Sequence, residues 1–427
     1  MAAQLVSSCP EGITLQITVP FDRSMLDFET RLQQELNQAG NLATAEQLRR
    51  FDTDGAPIQV GPTTLSSKGR LPKEYQTPYG AVAIDRHVYQ SAQGGATFCP
   101  LERDARIIVT STPLFAKIVS SKYAEFGAAR VRRDLQDNHG RAVSKCLVQD
   151  LADAVAAVAL AKEESWSYSL PHWDVPPAAV SLGLDGSCMH LGEDGWRETM
   201  VGTLGFYDAD GQRLHTIYLG ATPEYGKATF LERMTREAER ARAELPGARF
   251  IGIADGAQGN WDFLERHTAV QVVDFWHAVE YLGDAAAVLF RGQEGARRVW
   301  LDEMCHILKH EVGGAARVIR ELKSKARSRP WAKESEEVGA AVRYFTNRHA
   351  EGRMNYAARV AVNDPIGSGV TEAACKVIVK QRLCGSGMRW KEEGAAAVLS
   401  LRCLTYTPER WEQFWSKVDQ YGFPVAA

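Results

Sequence analysis

Two aspartates mark where chemistry could sit. The stretch Phe250-Ile-Gly-Ile-Ala-Asp-Gly-Ala257 is a short apolar run that delivers Asp255 straight into a glycine. Val180-Ser-Leu-Gly-Leu-Asp-Gly186 repeats the pattern around Asp185, 70 residues earlier. Four to six apolar residues bounded by turn residues read as a buried strand. A carboxylate at the end of such a strand is held at the rim of a sheet, where a metal or substrate can reach it. Each Asp-Gly alone is equally ordinary turn chemistry. A third acid, Glu372, follows Gly367-Ser-Gly369 in the first turn of a helix expected over about 370–383. Lys376 and Lys380 trail it at i+4 and i+8, on the same α-helical face. Three carboxylates can hold two Mg²⁺ ions about 3.5–4 Å apart, as two-metal phosphoryl transfer requires, and Mn²⁺ would substitute. The lysines would then hold a phosphate backbone. Without the other acids, Glu372 and Lys376 are only a surface pair.

The elements around these residues decide between the readings. Ala178–Leu191, Glu198–Tyr207 and Leu214–Leu219 are three strand-like runs, and Asp208-Ala-Asp-Gly-Gln212 has hairpin character. A helix over Lys227–Leu245 puts Phe230, Met234, Ala238, Ala241 and Leu245 on one stripe. The strand ending in Asp255 follows, then a short helix near Trp261–Arg266, a strand Val270–Phe275 and a helix His277–Phe290. Three β elements, a helix, a strand, a helix and a further strand is the order of an RNase H-like mixed α/β core. In that layout the first and fourth strands are neighbours, so Asp185 and Asp255 should end side by side. Independent turn aspartates have no reason to obey that topology.

The predicted organisation is therefore a 178–293 first part of the core, an all-helical insertion over 294–360, and a 361–427 second part with C-terminal helices. Ahead of it lies an N-terminal α+β region, 1–112, with a strand near Ile13–Val19, a helix over about Met25–Gln38 and a small β-ribbon unit. Residues 113–165 turn helical and break at Asn138-His-Gly140, with Ser144 where an N-cap belongs. Helix, glycine turn, helix outlines a helix-turn-helix. Arg130, Arg132, Arg133, Arg141 and Lys145 flank the turn, where phosphates could be met. Trp166–Pro177, with three prolines, reads as a linker. Thr407-Pro408 reads as an N-cap and N1 pair opening the last helix.

At 427 residues the chain can bury a sizeable core in several domains. No apolar run approaches the roughly 18 residues of a membrane helix, and no signal peptide is visible, so cytoplasmic residence is expected. Eight scattered cysteines form no C-x-x-C pair, which argues against a zinc ribbon or a disulfide framework. Net charge is only −3, yet Arg317, Arg320, Lys323, Lys325, Arg327, Arg329 and Lys333 face a single acid, Glu321. Such a run is either a solvated helix face or a phosphate-contacting one. His306 and His310 share a helical face, but with no third ligand in sight they read as a solvated pair.

Asp185, Asp255 and Glu372, with Val272-Val-Asp-Phe-Trp-His277, Gly367-Ser-Gly-Val-Thr-Glu-Ala-Ala374 and Gly385-Ser-Gly-Met-Arg-Trp390, resemble the DDE transposases of bacterial insertion sequences, ISKra type. The resemblance covers about residues 80–415. It implies Asp185, Asp255 and Glu372 as the catalytic triad and metal ligands, and 294–360 as an insertion before the final helix of the core. Asp274 and His277 match a strand-to-helix D-x-x-H of related transposases, which puts His277 near the site. His277, Lys376, Lys380, Arg389 and Trp390 are the DNA-contact candidates. The implied activity is hydrolysis at the element ends and transfer of the freed 3′-OH into target DNA, by a homo-oligomer assembled on that DNA. Relatives often carry a cysteine pair before a segment like Pro100-Leu101-Glu102. Here only Cys99 precedes it, so a structural zinc is not expected. The rival expectations are a domesticated, DNA-binding derivative without the chemistry, or another RNase H-like nuclease.

Overall fold

The computed structural model describes residues 3–163, 165–192, 194–224, 227–255, 258–332 and 334–423. It divides into two compact units, one of residues 1–168 with 396–427 and one of residues 169–395.

In the first unit, β1 (Ala3–Cys9) and β2 (Gly12–Ile17) form an antiparallel hairpin. Helix α1 (Met25–Arg49) starts at Ser24, whose hydroxyl accepts the Asp27 N–H. It runs well past the expected end near Gln38. Gly40 does not stop it, because that glycine makes room for the Tyr79 ring, which a Cβ would meet at 2.4 Å. Strands β3 (Ile58–Val60), β4 (Thr63–Gln76), β5 (Ala81–Ser91) and β6 (Gly94–Phe98) make one four-stranded antiparallel sheet. After α2 (Pro100–Asp104) come α3 (Pro113–Glu125), α4 (Ala128–His139) and α5 (Lys145–Lys162). Gly140 ends α4 in the left-handed conformation, which a glycine adopts without strain. Ser144 caps α5 by accepting the Leu147 N–H at 3.0 Å.

The second unit is built on a five-stranded sheet. β7 (Ala179–Leu191), β8 (Gly195–Tyr207) and β9 (Arg213–Ala221) form an antiparallel meander. Asp208 closes its second turn by accepting the N–H groups of Asp210 and Gln212. Then α6 (Ala228–Glu244) leads to β10 (Arg249–Ala254), α7 (Gln258–His267), β11 (Val270–Val273) and α8 (Phe275–Leu289). The strand order is β11-β10-β7-β8-β9, with β10 parallel to both β7 and β11. The first and fourth strands of this unit are thus neighbours. From Phe250 to Ala254 every residue of β10 is buried, the continuous apolar run that a parallel strand covered on both faces needs. The helices α9 (Glu294–His310), α10 (Gly314–Arg327) and α11 (Glu336–Ala350) follow without a strand, then the short α12 (Tyr356–Val360). The last helix of the unit begins as α13 (Gly369–Ala374), widens to a π-helix over Cys375–Lys380 and ends as α14 (Gln381–Leu383).

One assignment needs correcting. The C-terminal pair α15 (Glu392–Thr405) and α16 (Pro408–Tyr421) was expected in the 361–427 part of the core, but from Ala396 onward the chain belongs to the first unit. Side chains of the pair explain why. Arg402 is almost wholly buried and donates to the Ala124 carbonyl at 2.6 Å. Lys117 Nζ lies 2.8 and 2.6 Å from the two carboxylate oxygens of Glu412. Phe414, fully buried, meets the Trp166 ring edge-on at 5.7 Å. Thr407 stands at the N-cap of α16 with proline behind it, as expected, but its hydroxyl makes no capping bond.

Candidate carboxylate site of the second unit

Asp185 is not at a strand end. β7 continues to Leu191, and Gly186 pairs with Met200 inside it rather than turning. That glycine passes instead beneath the flexible end of Glu198, whose Oε1 a Cβ would meet at 2.3 Å. What does end near Asp185 is the pairing with β10, whose last register pair is Ile253 with Gly183. Asp185 and Asp255 each lie two residues beyond that last pair, at the same end of two neighbouring parallel strands. Asp185 is half-buried and Asp255 exposed. Gly256 and Ala257, the last residues of the motif around Asp255, lie outside the described residues.

Glu372 reaches the same region from above. Its helix can approach because β7 carries a glycine at 183, where a Cβ would come within 2.0 Å of Thr371 Oγ1. The Thr371 and Thr203 hydroxyls, both buried, then bond at 2.7 Å and fasten α13 to β8. One turn further along, Cys375 donates its thiol to Asp185 Oδ2 at 3.3 Å. The other oxygen, Oδ1, accepts the Gly186 N–H at 2.7 Å.

Behind Glu372 stands Asp274, fully buried at the N-cap of α8. Its Oδ1 accepts the N–H groups of Trp276 at 2.6 Å and His277 at 3.3 Å. Its Oδ2 accepts the Ser368 N–H at 2.8 Å and the Ser368 hydroxyl. Ser368 Oγ is also 2.8 Å from Glu372 Oε1. A hydroxyl has one hydrogen, so it cannot donate to both carboxylates at once. Burial first, and then the negative charges of Asp274 and Asp185, push the Glu372 carboxyl above its usual range, although the Ser368 bond pulls the other way. Negative charge here is thus undercompensated, the electrostatic condition that a cation relieves. Among the described residues, however, no three His, Cys, Asp or Glu side chains converge closely enough to hold a metal ion.

The remaining predicted contacts divide. His277 is half-buried in the first turn of α8, its Nδ1 3.1 Å from Glu280 Oε2 and its ring edge-on to Tyr281 and Tyr344. Lys376 and Lys380 are exposed, but both lie in the π-helix, so the α-helical i+4 and i+8 register does not hold for them. It is Cys375, not a lysine, that turns toward Asp185. Arg389 is exposed. Trp390 closes the end of β7: its N–H donates to His190, its carbonyl accepts from Gly192, and its indole N–H is spent on Leu383 at 2.9 Å. His306 and His310 are exposed, as expected of a solvated pair.

The basic clusters divide in the same way. Arg141 is buried, donating to the Thr77 carbonyl at 3.0 Å and to Gln76 Oε1 at 2.7 Å, so it is not available to a phosphate. Arg130 lies 4.0 Å over the Phe126 ring. Arg132 and Arg133 are exposed and line a groove of about 510 Å³ with Gln136 and Asp137. On α5, Lys145 is exposed at the first residue, but Asp150 and Asp153 are exposed as well, so the more cationic helix of the pair is α4. On α10 the residues Val318, Ile319 and Leu322 face the core while Arg320, Lys323 and Arg327 are exposed. Lys333 lies outside the described residues.

Ser368, Cys375 and the Thr203–Thr371 pair escaped the sequence reading. Asp274 was noted only within a motif, although an aspartate directly before a helical run is an N-cap signal. No helix among the described residues is long and apolar enough to cross a membrane. No protein-family model matches this chain, and no curated protein matches it significantly.

Proposed function

We propose that this chain is a metal-dependent DNA-cutting and strand-joining enzyme, a DDE transposase with an RNase H-like core in which Asp185, Asp255 and Glu372 hold Mg²⁺. One observation supports the reading: β7 and β10 pair in parallel up to Gly183 and Ile253, two residues before Asp185 and Asp255, and the glycine at 183 admits the helix of the third acid. The donor set is all-carboxylate, which suits Mg²⁺. Bound there, Mg²⁺ would activate the attacking oxygen and stabilise the leaving one. The chain's own part is to fix the acids. Gly186 and Cys375 orient Asp185, and Ser368 holds one oxygen of Glu372.

Support for DNA as the partner comes from exposed cations that pair with no acid among the described residues: Arg132 and Arg133 on α4 in one unit, and Arg320, Lys323 and Arg327 on α10 in the other. Assembly as a homo-oligomer on the two element ends belongs to the same proposal. A second reading is a DNA-binding protein that performs no chemistry, which the same exposed cations on α4 and α10 would serve equally. The two separate on one substrate, DNA carrying the gene with its flanking sequence. Binding with Mg²⁺-dependent scission at a flank supports the enzyme, and binding without scission supports the alternative.

A further inference from the structure

We propose that Ser368 is the positioning residue of Glu372, transmitting the fixed location of Asp274 to the third carboxylate of the site. The inference rests on the metal-site reading above. Asp274 is held on both sides of its carboxylate. It is fully buried, its N–H is fixed to the Ala254 carbonyl at 3.0 Å, and its two oxygens accept three backbone N–H bonds, from Trp276, His277 and Ser368. Its position is therefore set by β10 and α8 together. Ser368 is tied to it through the backbone N–H at 2.8 Å, which fixes the loop entering α13. The serine hydroxyl lies between Asp274 Oδ2 and Glu372 Oε1, and its one hydrogen can go to Glu372, 2.8 Å away, without releasing the backbone tie. The chain of contacts runs from the strand that ends at Asp255, through Asp274 and Ser368, to Glu372.

Gly367 fits the same scheme, since a Cβ there would press within 3.0 Å of the Trp276 ring on α8. A free glutamate on the first turn of a helix would sample several rotamers. Anchoring Oε1 restricts that choice. Partners of this kind, one bond removed from a metal ligand, typically carry about 10–100-fold of metal affinity.

The test is Mn²⁺ binding to the DNA-free protein, by calorimetric titration of wild type, Ser368→Ala, Glu372→Gln and the double variant, with melting temperatures alongside. Ser368→Ala keeps the backbone N–H bond to Asp274, so it should fold. It should weaken Mn²⁺ binding about tenfold or more. In the Glu372→Gln background the same change should cost nothing further, because the residue it acts through is already lost. Ser368→Thr, which keeps a hydroxyl, should return most of the affinity. Unchanged affinity in Ser368→Ala, or an additive loss in the double variant, overturns the proposal and leaves the metal site standing. A wild type that binds no Mn²⁺ overturns the metal reading itself, and the proposal with it. If Ser368→Ala melts below the assay temperature, Ser368→Cys replaces it. A weaker donor of similar shape should give intermediate affinity, and wild-type affinity would count against the role.

Discussion

Asp274→Asn is a nearly isosteric change at a residue with no freedom to adapt. Oδ1 of Asp274 receives the Trp276 and His277 N–H groups, and Oδ2 receives the Ser368 N–H with the serine hydroxyl beside it. An amide supplies one acceptor and one donor. Kept at the Oδ1 position, its oxygen preserves the cap of α8, but its NH₂ then points at the Ser368 N–H. The serine hydroxyl can rotate to accept; the backbone N–H cannot. One buried donor left unsatisfied costs about 1–3 kcal/mol, and loss of the charge-assisted character of the cap adds to it. Flipping the amide is no better, since it abandons a cap worth about 1 kcal/mol and two N–H groups with it. About 2–3 kcal/mol in a unit of this size corresponds to roughly 5–10 °C in melting temperature. Differential scanning calorimetry without metal reads it directly. A variant melting within about 1 °C of wild type would mean that Asp274 does not need to be an acceptor on both sides. The account of Asp274 as a two-sided acceptor would then be wrong.

Glu372→Gln should leave metal-free stability unchanged or raised near neutral pH. The folded-state carboxyl titrates above its unfolded value, so its contribution is fully present below about pH 4.3 and is lost as pH rises through the raised value. The difference from wild type should therefore vanish in acid, and a variant less stable than wild type at pH 7 would contradict it. Replacing Arg320, Lys323 and Arg327 together by Gln should lower the salt slope of binding to random duplex by about 3, at about 0.9 per phosphate. An unchanged slope would exclude α10 as a phosphate-contacting face. Gly183→Ala should cost about 1–3 kcal/mol by overpacking against Thr371, and Thr371→Ala should recover part of the loss. Equal stability in urea unfolding of wild type and Gly183→Ala would show that α13 does not depend on that close approach.

How far the sequence could be read depended on whether the determinant was local. The apolar runs Val180–Leu184 and Phe250–Ala254 announced buried strands, and the order of elements between them implied that they would be neighbours, as they are. Asp-Gly at 185–186 misled because a glycine serving a turn and a glycine passing beneath Glu198 look alike in one dimension. Gly40 in α1 conceals its packing role in the same way. The helices at the C-terminus were legible as helices, but their place in the first unit depends on Arg402 finding the Ala124 carbonyl, a partner 278 residues away. The bond between Asp274 and Ser368 spans 94 residues and left no periodic trace. The π-helix after Glu372 has no sequence signature, and it moves both lysines off the expected register.

The central claim, that Asp185 and Asp255 are metal-holding acids of a strand-transfer enzyme, is tested most directly by end cleavage. Purified wild type, Asp185→Asn and Asp255→Asn would be incubated with DNA carrying the gene and its flanking sequence, with Mg²⁺ and with EDTA, and both scission and joined products measured. Metal ligation needs the carboxylate charge, so wild type should cut and join only with Mg²⁺. Both variants should bind the same DNA and leave it intact. Mg²⁺-dependent scission by either variant, or none by wild type on DNA that it binds, would contradict the account.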